Sequence, residues 1–338
     1  VGGKKETAGR MSVEGTAVST QAQRVRAEQR PPAGTSRAEK QLSWWVRGKF
    51  GLVRWFLFAW ARLFSLKGLY LFGCWFATAE YLINFKRRRR YWRELQGVFP
   101  EGISRSRGRA IIHRYFQRTR CDKLYYLIFD RLPRDKIMRR IKFQGREHVD
   151  AALARGNGLY TMLSHNGSHH IAGLLMALCG YRVAGIRDRN EGAIRVYVQE
   201  RYAETFPEYA AIRVLYADSF PREIYRCFQE NRVVGSALDV SRVRGLTLKT
   251  CPVNIFGEQR EFLTGTLQIA LRCRATVCQA FVVSRPNFYF RLIACPPLYV
   301  PGEGESEESP ELIQRIMQQY ADGIAAHVRE HPDHLSRV

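Results

Sequence analysis

Residues 158–175 read GLYTMLSHNGSHHIAGLL, and three of the chain's eight histidines, His165, His169 and His170, fall inside it. An apolar run ends in Ser-His, a glycine follows, and two more histidines open a helical pattern. Three kinds of chemistry fit. A metal site would use His165 with His169 or His170, although the residues between them, Asn166, Gly167 and Ser168, supply no carboxylate for a zinc-bound water. A polar surface turn would make Ser168 an N-cap and leave the histidines solvated. An acid–base site would make His165 a general base, and this reading is favoured. In open α/β sheets ligands bind beyond the carboxyl ends of strands. The helix that follows also offers free backbone N–H groups to an oxyanion.

Strands and helices alternate around that point. The patterns predict strands in GLYTMLS, RVAGIR, IRVLYA and RVVGSALD, then in TVCQAFVV and FYFRLIAC. Helices are predicted in HHIAGLLMALCG, GAIRVYVQERYAETF, FPREIYRCFQEN and GTLQIALRCR, with a long amphipathic one from Ser309 to Pro332. Residues 91–145 look helical throughout. This alternation predicts an α/β fold with a layered, mostly parallel sheet flanked by helices. The ending HVREHPDH, with His327, His331 and His334, resembles a metal tract only superficially and is read as a frayed helix end. His113 falls in a helical pattern as a packed or surface residue.

Residues 1–40 carry almost no apolar periodicity and are expected to be a disordered basic tail. Val1 in place of Met suggests a truncated or alternatively started chain. From about 41 to 92 the composition changes. Trp44, Trp45, Trp55, Trp60, Trp75 and Trp92 are all of the chain's tryptophans, and cations interrupt the apolar residues repeatedly. The pattern suits helices lying in a membrane interface, with Lys86–Arg90 (KRRRR) as a polybasic anchor; a tilted span from Trp55 to Ala79 is the other option. Residues 93–338 form the expected α/β domain.

The formal net charge of +23 favours an anionic partner, membrane or nucleic acid. No nucleic-acid-binding motif accompanies it, so no nucleic-acid partner is expected. The eight cysteines are scattered and form no Cys-x-x-Cys pair, which fits small buried hydrophobes in a reduced compartment.

From about residue 45 to 300 the chain resembles the bacterial lipid A biosynthesis acyltransferases, within the wider lysophospholipid acyltransferases. HNGSHH sits where that family carries His-x4-Asp/Glu, commonly His-aromatic-Gly-Asn-Trp-Glu. RDRN (187–190) with Arg201, VVGSALDVSRVRG with Asp239, CPVNIFGEQREFLTGTLQIAL and ACPPL match later family segments in order. The resemblance implies a membrane-associated acyltransferase at the bacterial inner membrane, its catalytic domain on the cytoplasmic side. It would move a fatty acyl chain from acyl carrier protein or coenzyme A to a hydroxyl of a lipid, with no cofactor and no metal. The family's acid falls at position 170, here histidine, so His170 holds the pair position and Asp239 or Asp188 is the candidate replacement acid. Arg187, Arg189, Arg242 and Arg244 are expected around substrate phosphates, and the resemblance implies that Asn190 and Arg201 also bind substrate. Gly257 and Gly265 are expected in tight turns, and Thr264 as a helix cap. A catalytically inactive or divergent lipid-binding protein of the same fold, or one using an amine acceptor, is the alternative.

Overall fold

The computed structural model describes residues 42–187, 192–216, 221–241, 248–302 and 309–336. The predicted tail 1–40, together with Asp188, Arg189, Asn190, Arg242 and Arg244, lies outside them. Nine strands are formed by the described residues: β1 (Ile141–Gln144), β2 (Leu159–Leu163), β3 (Val183–Arg187), β4 (Arg213–Tyr216), β5 (Val233–Ala237), β6 (Thr250–Ile255), β7 (Glu258–Leu263), β8 (Thr276–Arg285) and β9 (Tyr289–Tyr299). Seven of them make one sheet in the order β1-β9-β8-β2-β5-β3-β4. All neighbours run parallel except β8 and β9. That exception follows from the connection: Pro286–Phe288 is a short turn, whereas a parallel neighbour needs a long crossover.

Both faces of the sheet are covered, as a mostly parallel sheet requires. Along β2 the side chains alternate between two cores. Tyr160 and Met162 join one core with residues of two helices, Gly265–Arg272 and Pro310–Glu330. Leu159 joins the other core with residues of the helices Arg146–Ala154, Ala172–Leu178 and Ala193–Thr205. Two elements depart from the sequence reading. β1 lies in a segment whose surroundings are helical; its four residues are too few for a period-two pattern to stand out. The Phe-Gly loop belongs to a separate antiparallel hairpin of β6 and β7.

We label the N-terminal helices α1 (Trp44–Ile83), α2 (Phe85–Val98) and α3 (Arg105–Ile128). α1 is long and apolar enough to cross a membrane by length and composition. It is not one straight rod. Ser65 has φ 64° and ψ 170°, outside the helical region. The rings of Trp60 and Phe72 are 4.8 Å apart, although twelve residues of straight helix would separate them by about 18 Å. The chain therefore folds back on itself, and a single straight span from Trp55 to Ala79 is not formed.

Each arm of this hairpin buries one stripe. Arg54 and Leu57 are buried in the first, Leu69, Gly73 and Ala77 in the second. Arg54 makes a buried ion pair of 2.6 Å with Asp130, with the ring of Tyr197 beside its guanidinium. The opposite faces leave Trp44, Trp45, Trp55, Leu63, Phe64, Leu71, Trp75 and Ile83 exposed. In α2, Arg87 is tied to Glu80 and Tyr115, while Lys86, Arg89 and Arg90 stay exposed. His113 is packed, its Nε2 2.8 Å from Thr78 Oγ1.

Candidate active site

The register of β2 and β5 decides what His165 meets. These parallel neighbours pair Leu163 with Ala237. Two residues beyond each strand end stand His165 and Asp239, so the register alone sets them side by side. Asp239 Oδ1 is 2.7 Å from His165 Nδ1, and its Oδ2 accepts the backbone N–H of His165 at 2.8 Å. A carboxylate can only accept, so Nδ1 carries the proton and Nε2 is left as the basic nitrogen. The Asp239 side chain is 6% exposed and that of His165 40%, a buried orienting acid under a reachable imidazole. The hydrogen bond to Asp239 raises the pKa of His165 above 6.5, against burial and the charge of Arg195.

The loop between β2 and the next helix is fixed from behind. Gly167 has φ 68°, and a Cβ there would meet Val282 O at 2.6 Å. Its N–H donates to His334 O at 2.9 Å, and the Ser168 N–H donates to Val282 O at 3.1 Å. The Ser336 N–H donates to Asn166 Oδ1 at 2.9 Å. Ser168 makes no cap. Its hydroxyl donates to Asp122 on α3 at 2.6 Å, and Asp122 also accepts from Ser284 at 2.8 Å and Arg118 at 3.2 Å. Tyr320 bridges the two strand ends, donating to Leu163 O and accepting from Leu238 N.

The C-terminal histidine tract corrects the sequence reading. It is no frayed end: His327 and His334 are buried, and the segment supports the loop. Desolvation lowers the pKa of His327 to about 3 and that of His334 well below 6.5. Among the described residues no group of three His, Cys, Asp or Glu side chains could hold a metal ion.

His170, placed at the pair position by the sequence, packs edge-on against Tyr126 at 5.2 Å. The imidazole in ring contact with His165 is that of His169, at 5.2 Å. Arg187 ends β3 on the same carboxyl edge. Arg201 pairs with Glu204 at 2.6 Å. Arg195, six residues earlier and overlooked in the sequence, is the arginine whose charge acts on His165, His169 and His170 alike. Leu263 N–H bonds Leu238 O at 3.0 Å, which brings the end of β7, with Thr264 and Gly265, beside the Asp239 segment. The Thr264 hydroxyl donates to Lys249 O at 3.3 Å and does not cap the helix; Gly265 has no positive φ and begins that helix. Gly257, with φ 80°, turns the far end of the hairpin, about 20 Å from Leu263 along the strand. Arg189, Asn190 and Arg242 lie outside the described residues.

An apolar cavity of about 30 Å³ lies between the sheet and the helices Arg146–Ala154 and Ala172–Leu178, lined in part by Leu163, Met176, Gly235 and Ala280. It has room for a water or two and none for a fatty chain.

Comparison with known families adds one match: the model of the bacterial lipid A biosynthesis acyltransferases covers residues 39–334. Comparison with curated proteins gives no match.

Proposed function

Because the chain belongs to the bacterial lipid A biosynthesis acyltransferase family, we propose that it transfers a fatty acyl group from a carrier-protein or coenzyme A thioester to a hydroxyl of a membrane lipid, with His165 as general base. The observation that supports this most is the His165–Asp239 pair. It rebuilds a base-and-acid couple although position 170 holds histidine. The acceptor hydroxyl gives its proton to His165 Nε2 as its oxygen attacks the thioester carbon. Asp239 holds the tautomer and stabilises the imidazolium. As the tetrahedral intermediate collapses, the C–S bond breaks and the departing thiolate takes the proton from Nε2. Arg195, and Arg187 at the strand edge, supply positive charge for substrate phosphates.

The hairpin of α1 is the membrane contact in this reading. It lies in the interface of the inner membrane's cytoplasmic leaflet, with its exposed tryptophans and leucines in the acyl region and Lys86, Arg89 and Arg90 at the phosphates.

The test is mass spectrometry of lipids from membranes holding wild type or His165→Ala. A new acylated lipid present only with wild type is the expected result. No product from wild type over a range of donors and acceptors would leave the divergent lipid-binding reading in its place.

A further inference from the structure

His169 stands against the general base without sharing its hydrogen bonds. The rings of His165 and His169 are in edge contact, with their planes at 67°. His169 Nδ1 is enclosed and has no hydrogen-bond partner, yet the residue as a whole is only partly buried. Nε2 is not enclosed in this way and makes no hydrogen bond among the described residues, so it is the ring nitrogen left accessible. Burial is the main cause that lowers its pKa well below 6.5, with His170 and His165 adding to it, so the ring is neutral.

A neutral imidazole has one N–H and one acceptor nitrogen. Orphaned buried N–H groups are rare, and an unmet acceptor is tolerated somewhat better. The enclosed, unpartnered Nδ1 is thus the bare nitrogen, and Nε2 carries the proton. The result is a neutral N–H donor beside the nitrogen that receives the acceptor's proton. A reacting carbonyl must sit about 3 Å from both the nucleophile and the oxyanion donors, and a ring whose centroid is 5.2 Å from that of the general base is close enough to supply such a donor.

We propose that His169 is a second catalytic imidazole, donating a hydrogen bond from Nε2–H to the thioester oxygen as it becomes an oxyanion. The proposal rests on the acyl-transfer reading. In the step, the acceptor O–C bond forms and the carbonyl π pair moves to oxygen, where His169 meets it. The acceptor's proton is held on His165. When the oxyanion re-forms the carbonyl, the C–S bond breaks and the thiolate takes that proton. His169 exchanges no proton with the substrate. A neutral donor suits this place, because an imidazolium there would lower the basicity of His165.

The experiment compares wild type, His169→Phe and His169→Gln in full-length protein, with medium-chain acyl-coenzyme A and acyl-carrier-protein thioesters over bacterial lipid extract. Phenylalanine keeps the ring and loses the donor; glutamine loses the ring and returns an N–H. The expected result is a kcat lower by about 10²–10³-fold in His169→Phe. KM for the donor and the pH limb of His165 should stay in place, and His169→Gln should recover part of the loss. A packing role predicts the reverse order. Histidine-selective ¹⁵N spectra should show His169 neutral at pH 7 with its proton on Nε2; a proton on Nδ1, or an imidazolium, overturns the role. An active wild type matched by His169→Phe overturns it alone. An inactive wild type overturns the acyl-transfer reading and this role together.

Discussion

Replacing Asp239 with asparagine changes one atom of the dyad, and the surrounding hydrogen bonds decide which way the new side chain faces. One carboxylate oxygen accepts the His165 backbone N–H at 2.8 Å and the other meets Nδ1 at 2.7 Å. Asparagine has one acceptor and one donor group. With its oxygen on the backbone N–H, its NH2 faces Nδ1, and the imidazole proton must move to Nε2. The opposite flip sets NH2 against N–H and leaves a buried donor unmet, at a cost of about 1–3 kcal/mol. The first arrangement wins by roughly one to two orders of magnitude in population, and it places a proton on the nitrogen that should accept one. A wrong tautomer of this kind lowers kcat by about 10⁴-fold in a Ser-His-Asp triad. Asp239→Ala removes the carboxylate but imposes no tautomer, so it should be more active than Asp239→Asn although it deletes more atoms. Initial rates of lipid acylation at pH 7.5, with thermal melts as a folding check, read both. Asp239→Asn at a tenth of wild-type activity or better, or above Asp239→Ala, would refute the tautomer argument.

Other consequences are open to measurement. The pKa of His165 is raised by Asp239 and the base must be neutral, so kcat/KM should rise with pH through a limb above 6.5. His170→Glu should give no faster transfer, because His170 packs on Tyr126 and Asp239 already occupies His165 Nδ1. Arg54→Ala should cost about 3–5 kcal/mol by leaving Asp130 buried and unpaired, and Arg54→Met with Asp130→Leu should recover most of it in denaturant melts. His170 and His327 are held near 3 in the fold, so below their ordinary 6.5 the unfolded chain binds more protons. Stability then falls as the pH drops, approaching about 1.4 kcal/mol per unit for each, a total of about 3 kcal/mol between pH 6.5 and 5. The half-exposed His165 works in the opposite direction and offsets a minor part. A melting temperature at pH 5 equal to that at pH 7 would contradict this.

The place of His165 was legible because the end of an apolar strand followed by a helix marks a sheet's carboxyl edge. Asp239 was visible as a candidate, but its partner depends on the pairing of β2 with β5, 74 residues apart, and only the register fixes that. The choice between His169 and His170 was beyond periodicity. The helix opens with a 3-10 turn over His169–Ile171, and the difference from an α-turn moves a side chain around the axis. Ser65 gave no warning of a break, since neither glycine nor proline stands there. The histidines near residue 330 look solvent-facing in a charged stretch, and only the docking of His334 O on Gly167 shows them inside.

That docking also sets an order of events during synthesis. The apolar hairpin of α1 is made before the site loop, while Ser336, which fastens Asn166, is made 170 residues after Asn166. At roughly 5–20 residues per second, the loop waits about 8–35 s for its fastening. A nascent chain thus holds its long apolar arms while His165 is still unsupported. The base-and-acid pair is braced only after that delay.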